Sequence, residues 1–243
     1  PNDFSKQNVS KTELQVVFED ENILVVNKPQ GIAVHAGDSD ALNNNEQTLI
    51  TLLQQQKYTD VQLCHRIDRN TGGLVLLAKN RAALEEILNA IEEHRIKKFY
   101  RCIVCGKPTP AKATLTNYLS KNSRLSQVFV HATREKGDLT AITTYNTLKT
   151  IADLSLLEVS IATGRMHQIR AQLSHAGYPI LGDGKYGNTV INRKYKTKMQ
   201  QLFAFRLEFN FPAKSKLSYL SGTSVEIAAI DEQTLAQFAG GEN

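Results

Sequence analysis

The sequence predicts an α+β fold, and three observations carry that expectation. Residues 14–19 and 23–27 form an alternating and then a continuous apolar run on either side of the short turn Asp20-Glu21-Asn22, as the arms of a hairpin do. Residues 141–148 and 154–160 repeat the pattern of paired strands later in the chain. Between and after them, Ala83, Leu84, Ile87, Leu88 and Ile91, and then Met166, Ile169, Leu173 and Ala176, recur at helical spacing. No internal repeat or low-complexity linker divides the 243 residues, so a single domain over 1–243 is expected.

Composition narrows the classes. An apolar content of 41% with 22% charged residues is that of an ordinary globular chain with a sizeable core. A net charge of +5 and a pI near 9.0 are compatible with a polyanionic partner without requiring one. Three cysteines, Cys64, Cys102 and Cys105, are too few and too odd in number for a disulfide framework and suit a reducing compartment. The longest apolar runs are far too short to span a bilayer, so a cytoplasmic protein with no membrane partner is expected.

Taken in order, residues 1–11 are polar and expected to be disordered. The first hairpin ends at Lys28-Pro29-Gln30-Gly31, where Pro29 and Gly31 should release Lys28 and His35 into a loop. Lys28 there reads either as a phosphate ligand or as a solvated turn lysine. Residues 37–47 are rich in Asp, Asn and Ser and read as a mobile loop; Thr48 to Gln56 reads as a short helix. The apolar run Leu74 to Ala78 is a buried strand, and Asn80 is placed to cap the helix after it. The segment 109–137 reads as short strands and surface loops, and 188–201 as a basic, mobile stretch. A strand over 203–209 and a helix near 231–238 close the domain.

The residues with chemistry to offer are few. His65-Arg66-Ile67-Asp68-Arg69-Asn70-Thr71-Gly72-Gly73 sets one carboxylate between two arginines at the mouth of a buried strand. Neighbouring guanidinium groups favour a charged carboxylate, which suits a nucleophile or an ion-pair member better than a general acid. Lys97-Lys98-Phe99-Tyr100-Arg101 interleaves cations with aromatics, a composition for gripping phosphates and stacking a base, although a half-exposed strand shows the same residues. His167, Arg170 and Ser174 share a helical face beside the apolar stripe, and an arginine emerging there needs a fixed partner. Cys102-x-x-Cys105 lies on a strand, where its thiols point to opposite faces, and no second pair of ligands matches it. A nucleophile elbow, a phosphate-binding loop and a dinucleotide fingerprint are all missing from the sequence. A glycosidase would need a second carboxylate, for which Asp183 is available but unmarked.

In combination, His65 to Leu74, Gly164-Arg165-Met166-His167-Gln168-Ile169-Arg170 followed by Gly177-Tyr178-Pro179-Ile180-Leu181-Gly182-Asp183, and Asn27-Lys28-Pro29-Gln30-Gly31 resemble the RluA-type pseudouridine synthases. The resemblance runs from about residue 14 to 230 in the family's motif order, and its opening motif is similar to the branch that acts on large-subunit ribosomal RNA. It implies a mostly antiparallel sheet with flanking helices and a central basic cleft. It also implies isomerisation of uridine in RNA, without cofactor or metal, with Asp68 as the nucleophile at the sugar C1′ or at the base. Tyr100 falls at the family's active-site tyrosine, expected against the uracil, and Arg170 at the arginine that ion-pairs with the aspartate. Arg66 matches a position that fills the space left by the flipped uridine, and Ile67 and Ile169 would wall the pocket. Arg69, Lys97, Lys98, Arg101, Arg165 and His167 are candidate RNA contacts. The partner implied is ribosomal RNA, with transfer RNA as the other candidate, and a monomer is expected.

The sequence departs from the family pattern at Gly73, where Ser is usual, and at Met166, where Thr or Ser is usual. No RNA-binding domain of the S4 type is read in this chain. The competing expectation is a non-catalytic RNA-binding or ribosome-assembly protein on the same fold.

Overall fold

A computed structural model describes residues 13–35 and 47–240; the polar segment 1–11 and nearly all of the loop expected at 37–47 lie outside them. The first hairpin is as expected: β1 (Gln15–Glu19) and β2 (Ile23–Lys28) pair antiparallel across the Asp20–Asn22 turn. Asp20 Oδ1 closes that turn by accepting from the amides of Asn22 and Ile23. Thr48 caps α1 (Leu49–Gln55) in a reciprocal capping box, and Asn80 caps α2 (Arg81–Glu92) by accepting from the Ala83 amide.

Between those helices lie the two-residue β3 (Gln62–Leu63) and β4 (Gly72–Ala78), every residue of which is buried. That burial explains its unbroken apolar run. Val75 and Leu77 pack with α1, while Leu74, Leu76 and Ala78 pack with Ala83, Ile87 and Ala90 of α2, so both faces of the strand are covered. Leu88, expected in the α2 stripe, is 45% exposed; the stripe narrows to Ala83, Ile87 and Ala90, with Leu84 and Ile91 at its margin.

The second half supplies β5 (Ile96–Cys105), β6 (Lys112–Asn122), β7 (Gln127–His131), β8 (Leu139–Ile151), β9 (Leu154–Ile161), β10 (Leu202–Phe209) and β11 (Ser224–Glu226). Among the described residues the strands join one eleven-stranded sheet of order β1-β2-β4-β10-β5-β9-β8-β6-β7, with β3 also on β4 and β11 on β10. Every named pairing is antiparallel except β4 with β10. Three helices complete it: α3 (Gln168–His175), α4 (Thr189–Lys194) and α5 (Glu232–Gly240). Cys102 and Cys105, both buried free thiols, fall in different core clusters on the two faces of β5, as strand alternation requires.

Three sequence expectations need correction. The segment 109–137 contains one of the longer strands, β6, which reads as polar because Lys112, Thr114 and Thr116 alternate on a face left open to solvent. The stretch 188–201 is not wholly irregular: Asn188 Oδ1 accepts from the Val190 and Ile191 amides and starts α4. The helix after residue 162 begins only at Gln168, because His167 stands in the left-handed region at φ 53°; Met166 therefore precedes the helix and is not part of its apolar face.

Two glycines in left-handed conformations test how tightly the sheet is built. Gly73 has φ +107°, and a Cβ there would stand 2.0 Å from the Ala204 carbonyl oxygen on the neighbouring parallel strand. Gly177 ends α3 at φ +88° with open space around it. Gly73→Ala should lose about 3 kcal/mol or more of unfolding free energy, or fail to fold. Gly177→Ala should lose only about 1 kcal/mol, both measured by urea denaturation.

Candidate active site

The loop carrying Asp68 runs from Cys64 to Thr71, between the two strands β3 and β4, and the backbone around it is held from several sides. Lys28 is neither a phosphate ligand nor a solvated turn residue: it is 1% exposed, and its Nζ donates to the carbonyls of Pro29 at 2.9 Å, Ile32 at 2.7 Å and Arg69 at 2.9 Å. The Gly31 amide donates to the same Arg69 carbonyl at 3.0 Å, so Pro29 and Gly31 fold the chain back onto the loop instead of releasing it. Gln30 Nε2 reaches the Asn70 carbonyl at 2.8 Å, and Gln200 Nε2 the Thr71 hydroxyl at 2.7 Å. At the other end, the Leu76 amide donates to His65 Nε2 at 3.1 Å.

Held this way, Asp68 faces a cleft of about 1190 Å³. Its Oδ2 accepts from Arg170 Nη1 at 2.8 Å. Arg170, buried on the first turn of α3, turns the rest of its guanidinium to Asp183 as a fork, Nε to Oδ2 at 2.7 Å and Nη2 to Oδ1 at 3.0 Å. Asp183 Oδ1 also accepts from the amides of Lys185 and Tyr186. Burial alone would push the Asp183 carboxyl up, but the Arg170 bonds and charge and these two amides outweigh it, so it sits below the usual carboxylate range. Burial likewise opposes the Arg170 cation, and the bonds to the two carboxylates more than restore it.

Tyr186 packs its ring 5.2 Å from the guanidinium carbon, and its hydroxyl accepts from the Val128 amide at 2.8 Å. The same hydroxyl lies 2.9 Å from His167 Nδ1, which turns His167 Nε2 toward Asp68 at 4.0 Å. Tyr100 of β5 lines the same cleft, as do Ile67 and Ile169, both 5% exposed. Burial first, and the Asp68 charge second, push its phenol well above the usual range, so it is a neutral hydroxyl at physiological pH.

The structure thus gathers Asp68, Tyr100, Arg170, Ile67 and Ile169 in one place. Arg66, Lys97 and Arg165 are exposed along the cleft wall, joined by half-buried Lys98, and Lys121 of β6, which was not among the expected RNA contacts, lies there too. Arg101 is a different case: strand alternation turns it to the opposite face from Tyr100, where it lies 4.6 Å from the Phe205 ring centroid. Arg69 does not line the cleft either; its carbonyl is the anchor of the Lys28 contacts. His167 lines the cleft beside Asp68 but is only 5% exposed. A side chain at Gly73 would collide with the Ala204 backbone, whereas at Gly72 an added Cβ meets the Phe203 ring. Sequence reasoning left Asp183 without a role; the signal for it was the arginine, whose fork has more donors than one carboxylate accepts. Among the described residues no group of three or more His, Cys, Asp or Glu could hold a metal ion.

Residues 22–175 match the model of the RNA pseudouridylate synthase family. The chain belongs to that family. Similar members include ribosomal large subunit pseudouridine synthase C of Rickettsia conorii, 35% identical over 72% of this chain and 57% of that one. The Vibrio cholerae protein of the same name is 32% identical over 86% of this chain and 65% of that one. An uncharacterized RNA pseudouridine synthase of Bacillus subtilis is 33% identical over 75% and 61%. The chain therefore spans little more than half the length of the Rickettsia relatives it matches. Human RNA pseudouridylate synthase domain containing 1 superposes with a TM-score of 0.70 over 94% of this chain and 96% of that one, at 21% identity, which shows a shared fold. The matched pseudouridylate synthase region includes Asp68, Tyr100 and Arg170 and stops short of Asp183. No helix among the described residues is long and apolar enough to cross a membrane.

Burial and the nearby Lys98 charge push the His65 imidazole down to about 3, from a usual value of 6.5. Between those pH values the unfolded chain binds the extra proton and the folded chain does not, so stability falls as pH is lowered through that window. Urea unfolding at pH 5 should give a free energy on the order of 1–2 kcal/mol below that at pH 7 from this residue alone. His65→Gln, which keeps an acceptor for the Leu76 amide, should flatten the slope.

Proposed function

We propose that this chain converts uridine in RNA to pseudouridine, with Asp68 as the nucleophile. The observation that carries the reading is the Asp68 carboxylate, 21% exposed at the cleft and held by Arg170 at 2.8 Å, beside the apolar walls Ile67 and Ile169 and the ring of Tyr100. That is a carboxylate aimed into a cleft with ample room for a nucleotide, beside apolar walls where its charge matters more than in water. In the reaction the bond from C1′ to uracil N1 breaks and a bond from C1′ to C5 forms. The C5 proton is lost and N1 gains one. Asp68 attacks at C1′ or at the base, and either route draws the charge from the carboxylate and returns it when the enzyme is released. Tyr100 packs against the uracil as a neutral phenol.

The target uridine has to leave its stack to reach Asp68, at a cost of a few kcal/mol. Arg66, exposed where the Asp68 loop meets the cleft, is the candidate to fill the vacated space. Lys97, Lys98 and Arg165 are the candidates for phosphate contacts, and of these Lys98 is unusual because burial pushes its amine down to about 8. The substrate is ribosomal RNA of the large subunit, a reading supported by the names of the relatives, and the protein works in the cytoplasm as a monomer without cofactor or metal.

RNA carrying uridine tritiated at C5 tests the reaction. Wild-type protein should release tritium to water and no free uracil, and Asp68→Asn should lower the rate by at least about 1,000-fold. Retained release in the variant would contradict the role of Asp68. Tight, salt-sensitive binding to the RNA without release by the wild type would favour a binding protein on this fold.

A further inference from the structure

Arg170 has two carboxylate partners of unequal standing. Asp68 contributes a single bond from a side chain that is 21% exposed, whereas Asp183, with a side chain fully buried, contributes a two-bond fork and two further bonds to backbone amides. The loop is shaped to put it there. Gly182 has φ +78° and would place a Cβ 2.1 Å from the Met199 carbonyl oxygen, and a Cβ on Gly187 would stand 2.1 Å from the Asp183 carbonyl oxygen. Asn192 ties the loop from outside, accepting from the Gly182 amide at 2.7 Å and donating to the Asp183 carbonyl at 3.2 Å. The guanidinium face is closed by Tyr186.

We infer that Asp183 is a positioning residue, the permanent counter-ion that keeps Arg170 paired while Asp68 gives up its charge in the reaction. The inference rests on the synthase reading above. When an Asp68 oxygen donates its electron pair to C1′, the C1′–N1 bond breaks, the uracil leaves with that bond's pair and the negative charge, and the aspartyl ester is neutral. When C5 then attacks C1′ the carboxylate is expelled with its pair, the C5 proton is lost and N1 gains one. Throughout the first of these states the Asp68 arm of the ion pair is gone. A buried guanidinium with no other anion would then be uncompensated, a situation whose cost falls on the chemical step. With Asp183 in its fork, Arg170 keeps a fixed charge partner and a fixed orientation, and the weakening of one charge-assisted hydrogen bond is all that accompanies the ester. Attack at the base instead of the sugar draws the charge off Asp68 in the same way.

The test is single-turnover tritium release from a transcript of large-subunit ribosomal RNA tritiated at uridine C5, alongside RNA affinity and thermal unfolding. Asp183→Asn keeps the shape and one acceptor but removes the charge. It should bind RNA within about threefold of wild type and react at least about 30-fold more slowly, with Asp183→Glu recovering part of the rate. A rate within threefold of wild type, or a loss of affinity equal to the loss of rate, would overturn the inference. If Asp183→Asn does not fold, Asp183→Glu decides: a rate within tenfold of wild type supports the charge role, and a rate as low as that of Asp68→Asn overturns it. Absence of release by the wild type would overturn the synthase reading and this inference together.

Discussion

Arg170 sits between two carboxylates and is buried with one of them. Putting a guanidinium in the interior costs several kcal/mol unless its charge and its donors are met, and the fork to Asp183 meets most of that requirement. Of the three N–H groups outside the fork, one is directed at Asp68. The site therefore consists of a rigid ion pair that belongs to the protein interior and a half-buried carboxylate leaning on it. Much of the surrounding architecture serves this arrangement: the left-handed His167 that starts α3 so late that Arg170 falls in its first turn, the glycines of the 182–187 loop, and the Tyr186 ring over the guanidinium.

The same division holds for the Asp68 loop. Its carboxylate is free to act because its backbone is not free to move. Lys28, a residue whose charge is spent on three carbonyls, joins the end of the first hairpin to the loop, and Gln30 and Gln200 add contacts from two other parts of the chain. These segments lie far apart in sequence and meet because β2, β4 and β10 are neighbours in the sheet. The long sheet thus brings together an aspartate before β4, a tyrosine on β5 and an arginine after β9, and leaves a cleft with cations from four segments along its walls.

How much of this could be read in the chain follows from how local each signal is. The hairpins, the helices α1 and α2, the buried β4 and the closing helix were legible because alternation, helical stripes and the Asn80 cap are written within a few residues. Strand β6 was not, since its partners bury only part of it and its open face reads as polar loop. At the site, Asp68, Tyr100 and Arg170 stood out through their motifs, and their meeting in one cleft was foreseen. The fate of Lys28 and Arg101 was not, because whether a cation points to solvent, to carbonyls or to an aromatic ring depends on which strands lie next to it. Asp183 was visible as a residue but not as a partner, because nothing near it in sequence records the thirteen-residue reach to Arg170.

The claim that Arg170 is held by Asp183 and only lent to Asp68 can be weighed by two double-mutant cycles on folding stability at pH 7, one pairing Arg170→Met with Asp183→Asn and one pairing it with Asp68→Asn. The account predicts a coupling of about 3 kcal/mol for Asp183 with Arg170 and about 1 kcal/mol or less for Asp68 with Arg170. Equal couplings, or a larger one for Asp68, would contradict it.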